Sequence, residues 1–309
     1  MTDRVTVGLL AYPGAQQAAL LGLSDLFALA NRRADAHGAS GLPRFAVNAW
    51  TPDSPRPAYL LVPPALGEPP TAQVAAPLVE PLRALHREGT VLVSVCAGAF
   101  LLAETGVLNG RRATTHWVYD APFVARFPAV RLDTGRLLID DGDVITAGGL
   151  MAWTDLGLTL VERHLGPALM REVARYLLVD PPGREQRTYA AFLPRFDHGD
   201  AAIVKAQHQL HRDPATPGPA LATEAGLEDR TFLRRFRRAT GLTPTAYRHA
   251  LRLGQAQLLL ETTRQTVDQI AWAIGYDDPG AFRRLFQAQL GLSPRAYRQR
   301  FAHPVQGQP

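Results

Sequence analysis

At 309 residues, with 46% apolar and 20% charged side chains, the chain has the length for two domains and the apolar content to give each a core. A single cysteine, Cys96, excludes an internal disulfide framework and fits a reducing cytoplasm, and no apolar run approaches the ~18 residues of a membrane span. The net charge of +5 is uneven: residues 201–309 hold 15 Arg/Lys against 8 Asp/Glu, and the remainder 18 against 20. Attraction for phosphate therefore belongs to the tail. The start, MTDRVTVGLL, opens a strand and has no charged segment leading into a long apolar one, so no secretory leader is expected.

In chain order, Val5–Leu10 reads as a buried strand running into Tyr-Pro-Gly, and residues 18–30 as a helix. Phe45–Trp50 and Tyr59–Val62 are strand candidates across a Pro-rich turn. Residues 77–88 read as a helix with Pro77 at its start and Gly89 just beyond its end. VLVSV, residues 91–95, is a continuous apolar strand, followed by a helix over 97–105. Residues 136–140 and 144–146 suggest a hairpin, and residues 151–164 and 168–178 two helices split by Gly166-Pro167. Strands this apolar, alternating with helices, imply an α/β domain with a parallel sheet covered on both faces. Pro181-Pro182-Gly183 closes a domain of residues 1–183, and residues 184–200 have the polar, aperiodic look of a linker.

Cys96 sits where the VLVSV strand turns into a helix, with small Ala97 and Gly98 next in line. Strand, cysteine, helix is the thiol form of a nucleophile elbow, in which backbone N–H groups face a ligand. His116, in ATTHW, is the candidate base. The bland alternatives are a small buried apolar residue for Cys96 and a hydrogen-bonded wall residue for His116. No His, Cys or Asp set has metal-ligand spacing, so neither metal nor cofactor is expected. His208 and His211, three apart, fit a solvated helix face.

This half resembles the ThiJ/PfpI group, related to the class I glutamine amidotransferases, through YPG, SVCAGAFLLAETGVLNGRRATTHW and TAGGLMAWTDLGLTLVE. The resemblance implies a flavodoxin-like, amidotransferase-like sheet and a pocket at Cys96, Ala97, Gly98 and His116. It also implies an acidic partner near Ala19, where this chain reads AQQAAL. Without that carboxylate the domain is expected to be non-catalytic. The short stretch between Trp50 and Leu60 implies a trimmed sheet edge.

In the tail, Ile203–Leu210 reads as a first helix and residues 214–219 as a loop. Leu221, Ala222, Ala225, Leu227, Phe232, Leu233 and Phe236 give the apolar positions of a helix-turn-helix around Gly226. On its second helix Arg230, Arg234 and Arg238 fall at i, i+4, i+8 on one face, with Arg235 and Arg237 beside them. Residues 246–260 form a joining helix. A second unit has Ile270, Ala271, Ala273 and Ile274, a turn at Gly275, inward Phe282, Leu285 and Phe286, and outward Arg283 and Arg284. Gly291-Leu292-Ser293-Pro294 then repeats Gly241-Leu242-Thr243-Pro244, which indicates an internal duplication.

Residues 201–303 therefore form an all-α domain with two helix-turn-helix units, and it closely resembles the AraC/XylS DNA-binding domain. By position, that resemblance makes Arg230, Thr231 and Arg234 base-facing in the first unit and Gly280, Ala281 and Arg284 in the second. Arg235, Arg238 and Arg283 are added as DNA-binding residues, and the face of Arg230, Arg234 and Arg238 can supply phosphate contacts as well. The whole resembles the GlxA-like regulators. This implies a cytoplasmic, homodimeric activator that binds a double-stranded operator, meets RNA polymerase and answers to a small, nitrogen-containing effector. The rival readings are a hydratase or amidase acting through Cys96, and a redox sensor using the same thiol.

Overall fold

The computed structural model describes residues 3–39 and 41–302; His303, the expected end of the tail domain, lies outside them. The chain separates into two compact units between Arg187 and Thr188.

The first unit runs β1 (Arg4–Leu10), α1 (Gln17–Ala36), β2 (Arg44–Trp50), β3 (Tyr59–Val62), α2 (Ala72–Arg87), β4 (Val91–Val95), α3 (Gly98–Glu104), β5 (Arg112–Ala113), α4 (Asp120–Arg126), β6 (Arg131–Leu132), β7 (Leu138–Asp140), β8 (Val144–Ala147), α5 (Trp153–Leu165) and α6 (Pro167–Leu177). Six strands form one sheet in the order β2-β1-β3-β4-β8-β7. All neighbours are parallel except the β7–β8 hairpin, which closes one edge. β3 and β8 are buried at every position, as expected of strands covered on both faces. Residues 51–58 carry the chain straight from edge strand β2 to β3, with β1 between them.

One expected boundary is wrong. Pro77 does not start α2; the helix begins five residues earlier, where the Thr71 side chain caps it by accepting from Val74 N–H, and Pro77 and Pro81 lie inside it. The apolar face of Ala75, Leu82 and Leu85 is buried against the sheet, while Pro77 and Gln73 face water. A carbonyl deprived of its helical donor is solvated there, so packing outweighs the proline penalty.

The second unit is wholly helical: α7 (Ala201–Arg212), α8 (Gly218–Glu224), α9 (Asp229–Thr240), α10 (Pro244–Thr262), α11 (Val267–Ala273), α12 (Pro279–Leu290) and α13 (Pro294–Phe301). The loop expected over 214–219 is shorter, because Pro219 sits in the first turn of α8, where its missing N–H costs nothing. Two small cores hold the unit. One gathers Ile203, Leu210, Phe232, Phe236 and Tyr247, the other Leu253, Leu260, Phe282, Phe286 and Tyr297. Each residue of the first set matches one of the second at a constant offset, so the duplication read from GL(T/S)P extends through the packing.

Residues 184–200, which composition suggests as a linker, are folded onto the two units. Gln186 is buried in the first, while Thr188 and Phe192 pack in the second.

Candidate functional site

β4 lies between β3 and β8, with Ser94 in register with Val62 and Thr146, so the chain leaves the middle of the sheet at its C-terminal edge. Open α/β sheets place their ligand crevices at that edge. Cys96 makes the turn with φ of 53°, a left-handed conformation costing a side-chain-bearing residue ~1–2 kcal/mol. The turn is held by Cys96 N–H donating to Ala147 O at 2.7 Å and by Thr115 Oγ1 donating to Cys96 O at 2.7 Å. Backbone N–H groups of Ala97, Gly149 and His116 converge on the sulfur and favour a thiolate, but burial opposes them and wins, pushing the thiol up to about 11. Gly98 is glycine for packing: a Cβ there would stand 2.6 Å from Pro63 O and 2.7 Å from Val62 O.

His116 is half-buried beside Trp117 and Tyr119. Its Nδ1 accepts from Val118 N–H at 3.2 Å, and burial lowers its pKa, which leaves the ring neutral at pH 7. Tyr12 and Tyr119 complete the surroundings, and burial raises both phenols, with Cys96 close enough to add to the effect. They donate to Pro63 O and Gly67 O. At the position where an acid is expected, Ala19 is fully buried in α1. Gln16, at the start of α1, is also buried, and its Oε1 has no protein partner. Among the described residues, no three His, Cys, Asp or Glu side chains group as a metal site.

In the tail, α8–α9 and α11–α12 form two helix-turn-helix units, each turned by a left-handed glycine: Gly226 with φ of 68° and Gly275 with φ of 82°. Arg230, Arg234, Arg237 and Arg238 are exposed on α9, and none has an ion-pair partner among the described residues. Thr231 is half-buried beside them. Arg235 is different. It forms a fork on Asp200 at the start of α7: Nε donates to Oδ2 at 2.9 Å and Nη2 to Oδ1 at 2.7 Å. The same Asp200 caps α7 by accepting from Ile203 N–H. Arg235 thus holds α9 to α7 rather than facing outward as expected.

Two apolar assignments also change. Leu233 is 51% exposed, because it follows Phe232 by one residue and so points ~100° away from the core stripe. Ala273 is exposed as well. On α12 both arginines have partners: Arg283 pairs with Asp268 of α11, and Arg284 Nη2 lies 3.5 Å from Asp278 Oδ2. Asp278 also caps α12, accepting from Gly280 and Ala281 N–H at 2.7 and 3.0 Å.

Comparison with known proteins agrees with both halves. The DJ-1/PfpI family matches residues 57–163, and a helix-turn-helix domain family matches residues 221–300. The HTH-type transcriptional regulator CdhR of Pseudomonas aeruginosa is 32% identical over 228 residues, covering 73% of this chain and 68% of that protein. The chain belongs to the GlxA-type transcriptional regulators. GlxA itself, from Rhizobium meliloti, is 31% identical over 226 residues, 71% of this chain and 68% of that one. The solved DNA-binding domain of AdpA in complex with a target DNA is 36% identical, covering 32% of this chain and 92% of that one, with a TM-score of 0.31.

This GlxA-type regulator is a DNA-binding transcriptional regulator with an N-terminal sensor-type domain. No helix among its described residues is long and apolar enough to cross a membrane. Sequence reasoning missed Asp200, Gln207 and Gln257. The last two are buried and donate to Tyr247 and Tyr297 Oη, each at 3.1 Å, one in each repeat. Comparing the repeats position by position would have found the glutamines. Nothing local marks Asp200 as the partner of Arg235.

Proposed function

We propose that the regulator binds its operator chiefly through α9 and that the Cys96 elbow binds a small effector without turning it over. The observation that carries the first part is the set of exposed Arg230, Arg234 and Arg238 on one face of α9, without ion-pair partners among the described residues. Such a face supplies bidentate guanine contacts and phosphate contacts together. Thr231 adds a short hydroxyl, while Gly280 and Ala281 leave the second reader to thymine methyl contact and Arg284. Arg283 and Arg238 serve as phosphate contacts.

The second part rests on the elbow's protonation. With its thiol pushed up to about 11 and Ala19 in place of a carboxylate, Cys96 lacks the acidic partner that would help a histidine draw off its proton. The converging N–H groups of Ala97, Gly149 and His116 suit an effector oxygen, and the unpartnered Gln16 Oε1, buried at the start of α1, suits an effector donor. Ala97 and Gly98 shape the floor of this pocket. Iodoacetamide alkylation of the full-length protein followed against pH tests the reading. The rate should stay low through pH 8 and climb only toward about 11; a plateau reached below pH 8 would reveal an activated nucleophile and restore the hydratase or redox readings.

Homodimerisation is supported by apolar side chains left exposed on the first unit, among them Leu21, Tyr176 and Leu178. Activation and contact with RNA polymerase rest on kinship with the family alone.

A further inference from the structure

We propose that Leu233 is a base-reading residue of α9, taking the C5-methyl group of a thymine in the major groove. Leu233 is 51% exposed on a helix whose other exposed residues are Asp229, in its first turn, and Arg230, Arg234, Arg237 and Arg238. With Leu233 as the origin, Arg237, Arg230, Arg234 and Arg238 follow round the helix at about 40°, 60°, 100° and 140°. Phe236 and Phe232 lie about 60° and 100° away on its other side, so the leucine borders the arginine face. It lines one surface hollow together with Arg234, Arg237, Arg238 and Thr243.

A single exposed leucine is ordinary on a protein surface. The duplication shows that this one is not required by packing. The offset that matches Phe232, Phe236 and Tyr247 with Phe282, Phe286 and Tyr297 matches Leu233 with Arg283. Arg283 is exposed as well and reaches Asp268. The same helix-turn-helix packing therefore accepts a long charged side chain at this place, and the apolar one belongs to the outer face of α9.

The assignment rests on the reading that α9 meets the operator. In the major groove guanine offers O6 and N7 to an arginine, while thymine alone of the four bases presents a methyl group. Cytosine and adenine present amino donors there, which a leucine would leave unpaired. An apolar side chain beside arginines thus adds a preference the arginines lack: they bind guanine and phosphate, and Leu233 favours the base that carries the methyl. Leu233 lies about 1.5 Å along the helix axis from Arg234, less than one base-pair step of about 3.4 Å. The thymine it takes is therefore in a base pair next to the one that Arg234 reads.

The test uses the full-length protein and a duplex operator selected in vitro by it, with each thymine replaced in turn by deoxyuridine, which pairs alike and lacks only the methyl. The base pair that Arg234 reads is the one whose identity relaxes when the selection is repeated with Arg234→Ala. In gel-shift titrations, a uracil beside that pair should weaken parent binding about three- to five-fold, the worth of one buried methyl group. Leu233→Ala should bind the thymine and uracil duplexes equally at that position, and it should melt at the parent's temperature because its side chain lies outside the core. Arg234→Ala should bind every duplex more weakly and keep the uracil penalty. The same uracil penalties in Leu233→Ala as in the parent, or a selected operator with no fixed thymine beside the Arg234-dependent pair, overturn the assignment while leaving α9 as the reader. Arg234→Ala binding every duplex like the parent would remove α9 as the reader and the assignment with it.

Discussion

The two readers of the tail share a core and differ on the outside. Phe232, Phe236 and Tyr247 recur as Phe282, Phe286 and Tyr297, and the Gln–Tyr hydrogen bond recurs with them. The outer faces differ. Among the described residues, α9 presents four arginines without ion-pair partners, whereas α12 presents two, each paired with an aspartate. Even one structural contact has been exchanged: Arg235 on Asp200 in the first repeat corresponds to Leu285 and Ala250 in the second. The packing that makes a helix-turn-helix admits few solutions, so it persists through duplication. The outer face carries no packing constraint and is free to vary. The first unit carries charge on its outer face, and the second is small and capped there.

The largest expected effect tests whether the cores are equivalent. Phe236→Ala and Phe286→Ala should each cost ~3–5 kcal/mol in denaturant unfolding of the full chain. If one is tolerated like a surface change, the repeats do not share a packing scheme.

Next comes the divergence itself. Arg234→Ala should weaken binding to the selected operator duplex by ~1–3 kcal/mol in gel-shift titrations, and Arg284→Ala should fall at the lower end of that range. An Arg284→Ala loss larger than that of Arg234→Ala would reverse the ranking of the readers.

Smallest is the exchanged contact. Arg235→Ala should lower stability only slightly, because the guanidinium is screened by solvent, and leave base preference unchanged. The Arg235 fork holds the Asp200 carboxyl below its ordinary range. The stabilisation is thus fully present above the ordinary carboxylate pKa of about 4 and is lost as pH falls below that value through the lower pKa of the folded state. Unfolding midpoints measured from pH 6 to pH 3 should fall less steeply in Arg235→Ala than in the parent; parallel curves would remove Asp200 from the account.

The elbow shows how far local pattern carries. VLVSVCAGAF announces a strand, a turn at Cys96 and a helix, because small residues and apolar continuity are local facts. It does not announce that the thiol is driven upward, since that depends on how completely the surrounding chain excludes water. Gly98 illustrates the same gap. In sequence it looks like a ligand-facing residue, while in the fold it permits α3 to approach the carbonyls of Val62 and Pro63. Gln186 was invisible in an aperiodic, polar stretch, since its partners lie about seventy positions earlier.

What the sequence by itself determined is the set of elements and the class of protein. Continuous apolar runs, period-3.6 patterns and capping residues act over a few residues, and with the internal repeat they are strong enough here to define both units. What the tertiary structure decided is which side chains remain available. Arg234 and Arg235 are adjacent and chemically identical, yet one is left open to solvent and the other is locked onto Asp200. The helix turns ~100° between them, and only the fold says what stands on each side.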